Sequence, residues 1–297
     1  MGKLTLALEW FLNPDHVPLL VAREMGWLDE VGLELDLVEP KEHFDAFTAM
    51  QAGEVDVAVT EPIHLLQDVA KGEHLVGFAR FLHTNGGVMY LRSSGIERPR
   101  DMAGKRVQYP GAPGPGGLAI VSTMIEADGG EAGDLVAVNN GFHHTDALLQ
   151  DKADVATLAF YNFEVVEARH KGHDADFFAL KDWGVPDFCQ LILVCLPETL
   201  QSREEDLRKL LTIIRRGIDL LQQDPVEARR IYFNATRTPA DDPLMNSIFE
   251  ATVSCFTHDL TMSADYYEHL GAWLEHTGQV SGVPDLAAAW TNRLALS

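Results

Sequence analysis

Two kinds of side chain follow the predicted strands of this chain: aromatic rings, and groups that carry a carboxylate, an amide or an imidazole. Aromatic rings stack on the faces of a flat ligand, whereas the polar groups form hydrogen bonds with its edge. This combination suits a small, flat, nitrogen-rich ligand. The candidate ligand-binding residues are Trp10, Asn13, His16, Glu61, His64, Tyr109, Gly114, Gly116, Tyr161, Asn162 and Glu164.

Several of these candidates also fit a purely structural role, because the same residue types occur in cores and on helix surfaces. Trp10 would fit a hydrophobic core. His16 and His64 would fit hydrogen-bonded positions on helices, and Glu164 would fit a solvated helix face. Both interpretations remain open for each residue at this point.

A glycine-rich stretch, Pro110–Gly117, precedes a predicted helix, so its backbone N–H groups could hold an anion or another polar group. It has neither the GK[ST] ending of a nucleotide-binding loop nor the GxGxxG spacing of a dinucleotide site. The sequence contains no HExxH, CxxC or GxSxG motif, and His143-His144 is the nearest approach to a metal-binding pair. We therefore expect no metal ion and no cofactor.

The composition is that of a globular protein with a strongly acidic surface. The chain has 297 residues, 46% of them hydrophobic, and a formal net charge of -22. Phosphate backbones and anionic lipid headgroups are negatively charged like this surface, so we expect no nucleic-acid binding. The three cysteines are expected to be small buried hydrophobic residues.

No apolar run reaches the roughly 18 residues that a membrane span needs, so we expect no membrane insertion. The stretch Met1–Trp10 is too short and too polar for a signal peptide, and it is predicted to form the first strand. Two localisations stay open. The protein is cytoplasmic if Met1 is native, and periplasmic or lipid-anchored outside the cytoplasm if a leader was removed.

Strand-like and helix-like segments alternate along most of the chain. Predicted strands at Leu4–Leu8, Leu33–Val38 and Val55–Val59 are each followed by a predicted helix, and a second cycle of the same kind follows. This rhythm predicts mostly parallel sheets covered by helices. From Ser202 onward the pattern is almost entirely helical, with an amphipathic stripe over Glu204–Gln223.

We predict an α/β fold of two lobes, residues 1–91 with 192–297, and residues 92–191. Chain crossings near Leu91–Ser94 and Pro186–Leu191 would form a hinge, with a ligand cleft between the lobes. Ligands of such sheets bind at the carboxyl ends of the strands, which is where the candidate residues lie.

The spacing Glu9-Trp10-x-x-Asn13-x-x-His16 resembles that of the fungal thiamine-pyrimidine precursor synthases and of their bacterial pyrimidine-binding relatives, which serve ABC importers. The resemblance covers Leu4 to about Asp68 and extends more faintly to about Gln223, with a second matching stretch, AFYNFE, at 159–164. It implies the type II periplasmic-binding-protein fold. It also implies that Trp10 stacks on the ligand ring, and that the pocket edge includes Asn13, Asn162 and Glu164.

This chain departs from the synthases at two chemically central places. Those enzymes use one of their own histidines as a substrate and a lysine that forms a Schiff base with pyridoxal phosphate. His64 matches the histidine, but Thr60 stands at the lysine position, and a Schiff base needs an amine. The segment Phe188–Cys195 replaces the cysteine-rich run of the synthases. We therefore expect a binding protein.

Three functional hypotheses follow. The first is the solute-binding component of an ABC importer, which binds a small heteroaromatic ligand, a thiamine-precursor pyrimidine, and meets a permease. The alternative is a cytosolic enzyme on the same fold, like the thiamine-pyrimidine synthases or like decarboxylases and desulfinases. His64 or Glu61 would then act as general acid or base. The third is a cytosolic sensor or carrier without catalysis.

Overall fold

The computed structural model describes residues 2–40, 45–109, 116–141, 143–282 and 285–296. The chain divides into two compact units, each with its own five-stranded sheet. Unit 1 consists of Met1–His83, Gln190–Gly271 and Val280–Ser297, and unit 2 of Thr84–Cys189 and Ala272–Gln279.

The bounds of the elements are as follows. The strands are β1 (Gly2–Ala7), β2 (Leu33–Val38), β3 (Val57–Thr60), β4 (Val76–His83), β5 (Gly86–Leu91), β6 (Arg106–Gln108), β7 (Val136–Val138), β8 (Val155–Phe160), β9 (Ala175–Ala179) and β10 (Gln190–Cys195). The α-helices are α1 (Val17–Glu24), α2 (Trp27–Val31), α3 (Ala46–Gln51), α4 (Pro62–Ala70), α5 (Gly116–Ala127), α6 (His144–Leu149), α7 (Val166–His170), α8 (Pro197–Ser202), α9 (Glu204–Gln223), α10 (Pro225–Thr236), α11 (Pro243–Thr252), α12 (Ala264–His276) and α13 (Leu286–Ala289).

The sheet of unit 1 has the strand order β2-β1-β3-β10-β4. Strands β1, β2 and β3 are parallel, whereas β10 pairs antiparallel with both β3 and β4. The predicted amphipathic helix is confirmed as α9, which packs against α1. Its buried stripe includes Leu207, Leu210, Ile214, Ile218 and Leu221. Full burial of such a side chain stabilises the fold by about 1.5–3 kcal/mol.

The sheet of unit 2 has the strand order β7-β6-β8-β5-β9. The sequence prediction ended the first lobe at residue 91, but the structure places β5 in the sheet of unit 2, where it pairs antiparallel with β8 and β9. Only Thr84 and Asn85 separate β4 from β5, and so short a connection normally joins strands of one sheet. Here the hydrogen-bonding partners of β5 come from much later in the chain.

Part of the helical tail also belongs with unit 2. The end of α12 lies in the segment Ala272–Gln279, and the indole N–H of Trp273 donates a hydrogen bond to Thr123 Oγ1 over 3.1 Å. The sequence prediction assigned the whole tail to the first lobe. Helical periodicity shows that a stripe of α12 is buried, but it does not show which sheet covers that stripe.

In each sheet, two successive connections between parallel strands run in opposite directions across the sheet. In unit 1, α1 and α2 lead from β1 to β2 on one side, and α3 then leads to β3 on the other side. In unit 2, α5 leads from β6 to β7, and α6 leads back to β8. The carboxyl ends of such diverging strands leave a crevice where ligands bind in open α/β sheets. The two crevices therefore lie at β1/β3 and at β6/β8.

Within the part of the chain that the structure describes, no helix combines the length and the apolar character that crossing a bilayer requires.

Candidate functional site

The loop after β1 is held in one conformation by Asn13 and His16, which are both fully buried. The Asn13 side chain accepts a hydrogen bond from the backbone N–H of Asp15 over 2.8 Å and donates one to the carbonyl of Phe11 over 3.0 Å. The backbone N–H of Asn13 donates to His16 Nδ1 over 3.2 Å. Asn13 and His16 thus fix the turn that follows Glu9 and Trp10, a role that the sequence analysis had kept open as an alternative to ligand contact.

His16 also orients the carboxylate of Glu9. Because Nδ1 accepts the Asn13 N–H, the proton of a neutral ring lies on Nε2, which is 3.1 Å from each carboxylate oxygen of Glu9. Burial lowers the pKa of His16, but the charge of Glu9 and its hydrogen bond outweigh this, so the pKa is raised above its ordinary 6.5. Glu9 keeps 19% of its side chain exposed. The sequence analysis noted Glu9 in the spacing at the end of the first strand but did not include it among the expected ligand-binding residues.

Two aromatic residues, Trp10 and Phe11, directly follow Glu9 in the chain. Trp10 is half-buried, so it does not belong to the hydrophobic core, and its ring centroid lies 4.2 Å from that of Phe11 at an interplanar angle of 49°. Phe11 is 37% exposed, which makes it one of the exposed large hydrophobic residues of unit 1. Two adjoining aromatic rings next to a fixed carboxylate can stack on a planar ligand and bind its N–H groups.

The loop after β3 carries the second polar group of unit 1. Glu61 directly precedes α4 and is 7% exposed, whereas the His64 side chain in the first turn of that helix is 40% exposed. His64 Nδ1 lies 3.9 Å from Glu61 Oε2. The carboxyl ends of β1 and β3 therefore bring Glu9, Trp10 and Glu61 to the crevice of this sheet.

The residues at this edge do not fit pyridoxal phosphate. Thr60 ends β3 and offers a hydroxyl where the Schiff base would require an amine. Lys71 follows the last residue of α4, about 13 Å along the helix axis from the start of that helix. Its Nζ donates a hydrogen bond to Asp68 Oδ1 over 2.8 Å. No step through that cofactor follows from this site.

In unit 2, a π-helical turn places two polar residues inside the protein directly after β8. The sequence predicts one helix over Tyr161–His170, but the structure has a π turn at Tyr161–Val165 before α7 begins. Asn162 and Glu164 are 2% and 4% exposed. Glu164 Oε2 accepts the backbone N–H of Phe160 over 2.8 Å, and Asn162 Oδ1 accepts the Thr84 hydroxyl over 2.7 Å. Single π turns often mark functional positions.

Tyr161 begins this turn and is 38% exposed. Its ring lies 5.0 Å from the ring of Phe177 and 5.6 Å from the guanidinium carbon of Arg169, whose Nη1 donates to the Tyr161 hydroxyl over 3.2 Å. The ring is therefore held in place although it is partly solvated. The turn thus combines an exposed aromatic ring with a buried carboxylate, Glu164, and a buried amide, Asn162.

The glycine-rich stretch is only partly described, and Gly114 lies outside the described residues. At the start of α5, the side chain of Tyr109 packs closely over two glycines. A Cβ added to Gly117 would lie 2.7 Å from Tyr109 Cβ, and one added to Gly116 would lie 3.1 Å from the Tyr109 hydroxyl. Gly117 and Gly116 therefore permit the close packing of Tyr109, which follows β6, against the start of α5.

Two buried polar residues lie at the start of α6, of which the sequence analysis named only His144, as part of the pair His143-His144. His144 and Thr145 are 4% and 2% exposed, whereas His143 next to them is exposed. Burial lowers the pKa of His144 to about 4, and the nearby charge of His143 adds to this. The adjacent histidines thus lie in opposite environments, and in the described ranges no group of three potential ligands could hold a metal ion.

The buried imidazole of His144 predicts a loss of stability in mild acid. Its pKa is about 4 in the folded state and 6.5 in the unfolded state, so between these values only the unfolded state binds the proton. This contribution to stability is fully present above pH 6.5 and is lost as the pH falls toward 4. From pH 7.5 to pH 5, the wild type should lose about 2 kcal/mol more unfolding free energy than His144→Gln. Urea denaturation at both pH values measures this difference.

His143→Gln is the matched control, because it removes the exposed histidine next to His144. It should follow the wild type closely in the comparison between pH 7.5 and pH 5, because burial, the larger cause of the lowered pKa of His144, stays in place. Equal acid sensitivity of His144→Gln and the wild type would show that the imidazole of His144 takes up a proton in the folded protein.

The chain has relatives among known proteins. A family model described as "NMT1/THI5 like" matches residues 13–228. The 4-amino-5-hydroxymethyl-2-methylpyrimidine phosphate synthase of Legionella pneumophila is 28% identical over 296 residues, which cover 98% of this chain and 92% of that protein. The formylaminopyrimidine-binding protein of Halalkalibacterium halodurans is 26% identical over 284 residues, which cover 93% of this chain and 85% of that protein.

Solved structures share the fold. The alkanesulfonate-binding protein SsuA of Xanthomonas axonopodis pv. citri, bound to MOPS, superposes with a TM-score of 0.75 over 98% of each chain, at 13% sequence identity. This likeness confirms the predicted α/β periplasmic-binding-protein fold. At this level of identity it carries no information about the ligand.

Proposed function

This chain belongs to the NMT1/THI5-like family, and we propose that its function within that family is to bind a pyrimidine of the thiamine-precursor class without converting it. The protein would serve as the solute-binding component of an ABC importer. A formylaminopyrimidine-binding protein that aligns over 93% of the chain supports the binding function.

The observation that carries the proposal is the carboxylate of Glu164. It is buried at the carboxyl end of β8, and one of its oxygens is fixed by the N–H of Phe160. A carboxylate held in a fixed position can accept hydrogen bonds from two donors at once. The amino group and protonated ring nitrogen of an aminopyrimidine are such donors.

Unit 1 supplies complementary chemistry at its own crevice. The ring of Trp10 is half-buried, and Glu9 beside it is oriented by His16. An indole face stacks well on an electron-poor heteroaromatic ring. The acidic groups Glu9 and Glu61 at this edge favour a neutral or cationic ligand over an anionic one.

The absence of an amine at Thr60 separates this chain from the synthases. Binding a pyrimidine ring does not require that amine, so a protein of this fold can keep the family's ring-binding residues without forming the Schiff base. We therefore assign Trp10, Glu61 and His64 in unit 1, and Tyr161, Asn162 and Glu164 in unit 2, to ligand binding.

Isothermal calorimetry with 4-amino-5-hydroxymethyl-2-methylpyrimidine and its formylamino analogue tests the proposal. Trp10→Ala should weaken binding by at least about 1 kcal/mol, or roughly fivefold, because the stacking surface is lost. Trp27→Ala is the matched control, since Trp27 begins α2, precedes β2 and packs under Arg216 at 4.3 Å, away from the carboxyl ends of the strands. Unchanged affinity in Trp10→Ala would remove the stacking role, and no binding by the wild type would overturn the proposal.

One observation favours the enzymatic alternative. His64 is accessible and lies 3.9 Å from the carboxylate of Glu61, an arrangement that could transfer a proton to or from a small aromatic substrate. Formation of product from such a compound, lost in His64→Ala, would support this function. Neighbouring genes add an independent criterion, because permease and ATPase genes favour import and catabolic genes favour an enzyme.

A further inference from the structure

Several buried polar atoms of unit 2 have no hydrogen-bond partner among the residues that the structure describes. His144 Nδ1, Thr145 Oγ1 and Asn85 Oδ1 are among them. His144 and Thr145 are more than nine-tenths buried as whole residues. A buried polar group without a partner costs free energy, so a fold that keeps several of them calls for an explanation.

His144 and Thr145 belong to the elements around the carboxyl end of β8. They lie in the first turn of α6, which packs against β8 and against the π turn Tyr161–Val165. Three and four residues further along, Ala147 and Leu148 enter the core of this unit together with Val165. The first turn of α6 therefore belongs to a helix that contacts the π turn containing Glu164.

Asn85 reaches the same region from the other side of β8. It directly precedes β5, whose first residue, Gly86, is paired with Phe160 at the end of β8. The carbonyl of Asn85 accepts the backbone N–H of Tyr161 over 3.0 Å. The neighbouring Thr84 donates to Asn162. The three residues thus belong to segments that meet at the carboxyl end of β8, which borders the crevice defined by β6 and β8.

The chemistry of these groups selects for an uncharged partner. None of the three carries a positive charge, and His144 stays neutral at pH 7 because burial lowers its pKa. A hydroxyl, a neutral imidazole and an amide both donate and accept hydrogen bonds, as an alcohol or amide substituent requires. None of these groups could pair with the charge of a phosphate, and the carboxylate of Glu164 in the neighbouring π turn would repel one.

We propose that His144, Thr145 and Asn85 form a subsite that binds an uncharged hydroxyl, amino or amide substituent of the ligand and rejects its phosphate ester. This inference rests on the proposed function and goes beyond it, because it states which form of the pyrimidine the protein takes. It also accounts for the retention of unsatisfied polar groups, since ligand binding would supply their partners.

The test compares three probes by calorimetry: the 5-hydroxymethyl pyrimidine, the same ring with a 5-methyl group, and the phosphate ester of the alcohol. The wild type should prefer the alcohol to the methyl compound by about tenfold, the value of roughly one hydrogen bond. The alcohol should also bind more tightly than its phosphate ester. Thr145→Val is isosteric and should reduce the preference for the alcohol to less than about twofold, leave affinity for the methyl compound unchanged, and raise the melting temperature.

Thr157→Val is the matched control. Thr157 is also fully buried in unit 2, but its hydroxyl donates to the carbonyl of Gln108 over 2.9 Å. This variant should lose stability and keep the wild-type preference among the probes. Asn85→Ala, at a half-buried position, provides a second variant should Thr145→Val fail to fold, and it should reduce the preference for the alcohol in the same direction.

The possible failures are distinguishable. Equal binding of the alcohol and methyl probes by the wild type, an unaltered preference in Thr145→Val and Asn85→Ala, or tighter binding of the phosphate ester would each overturn the subsite while leaving the proposed function standing. Absence of binding for all three probes would overturn the proposed function and the subsite with it.

Discussion

Glu164→Gln should weaken the binding of an aminopyrimidine about 10- to 100-fold while the fold stays intact. A hydrogen bond to a charged group contributes about 1.5–3 kcal/mol, and the amide removes the charge while keeping the shape of the side chain. The glutamine carbonyl can still accept the N–H of Phe160, so the π turn keeps its internal hydrogen bond. Calorimetric titration of both proteins with the same aminopyrimidine measures the difference.

Glu167→Gln is the control for this prediction. Glu167 lies three residues further along, in α7, where its carboxylate pairs with Lys171 over 2.9 Å at the surface. This variant removes the same charge from the same unit and should bind the ligand as the wild type does. A loss of affinity in both variants would indicate a long-range effect of net charge, and equal binding by Glu164→Gln and the wild type would exclude Glu164 as a ligand contact.

Gly217→Ala should destabilise unit 1 by about 2 kcal/mol, although alanine is the better helix former. Helix propensity alone favours the substitution by about 1 kcal/mol. However, a Cβ at Gly217 in α9 would lie 2.6 Å from both Cα and the carbonyl oxygen of Pro18 in α1. These are backbone atoms, so the two helices must separate, and overpacking of this kind costs about 1–3 kcal/mol or more. Calorimetry should show a melting temperature lower by about 4–8 °C.

The sign of this effect is the informative result. Gly282→Ala is the control, because a Cβ at Gly282 meets no described atom within 4 Å, and its stability should change little. An increase in stability of Gly217→Ala would mean that α1 and α9 do not approach each other as closely as the structure has them.

The alternation of strands and helices was predictable because it depends on local patterns. Parallel strands read as short apolar runs between helices, and the stripe of α9 repeats every three or four residues. The positions of the candidate residues at strand ends were predictable for the same reason, since these residues follow the predicted strands directly. Trp10, Glu61 and Glu164 all lie at the carboxyl ends of strands in the structure.

Partners that are distant in the chain were not predictable from local patterns. The hydrogen bond between Thr84 and Asn162 joins residues 78 positions apart, and β5 pairs with strands that follow it by more than 60 residues. Periodicity shows that a segment has a buried face, but it does not name what covers that face. For this reason the sequence prediction placed β5 and the end of α12 with the first lobe.

The amino-acid sequence by itself determined the fold class, the family resemblance and the absence of an amine at Thr60, because each of these depends on residue identity and short-range order. Only the tertiary structure decided what individual polar residues do. It showed that Asn13 and His16 hold the loop that carries Glu9, and that His144 and Thr145 are buried whereas His143 is not. Burial and hydrogen bonding depend on which elements pack together, and that packing is a property of the whole chain.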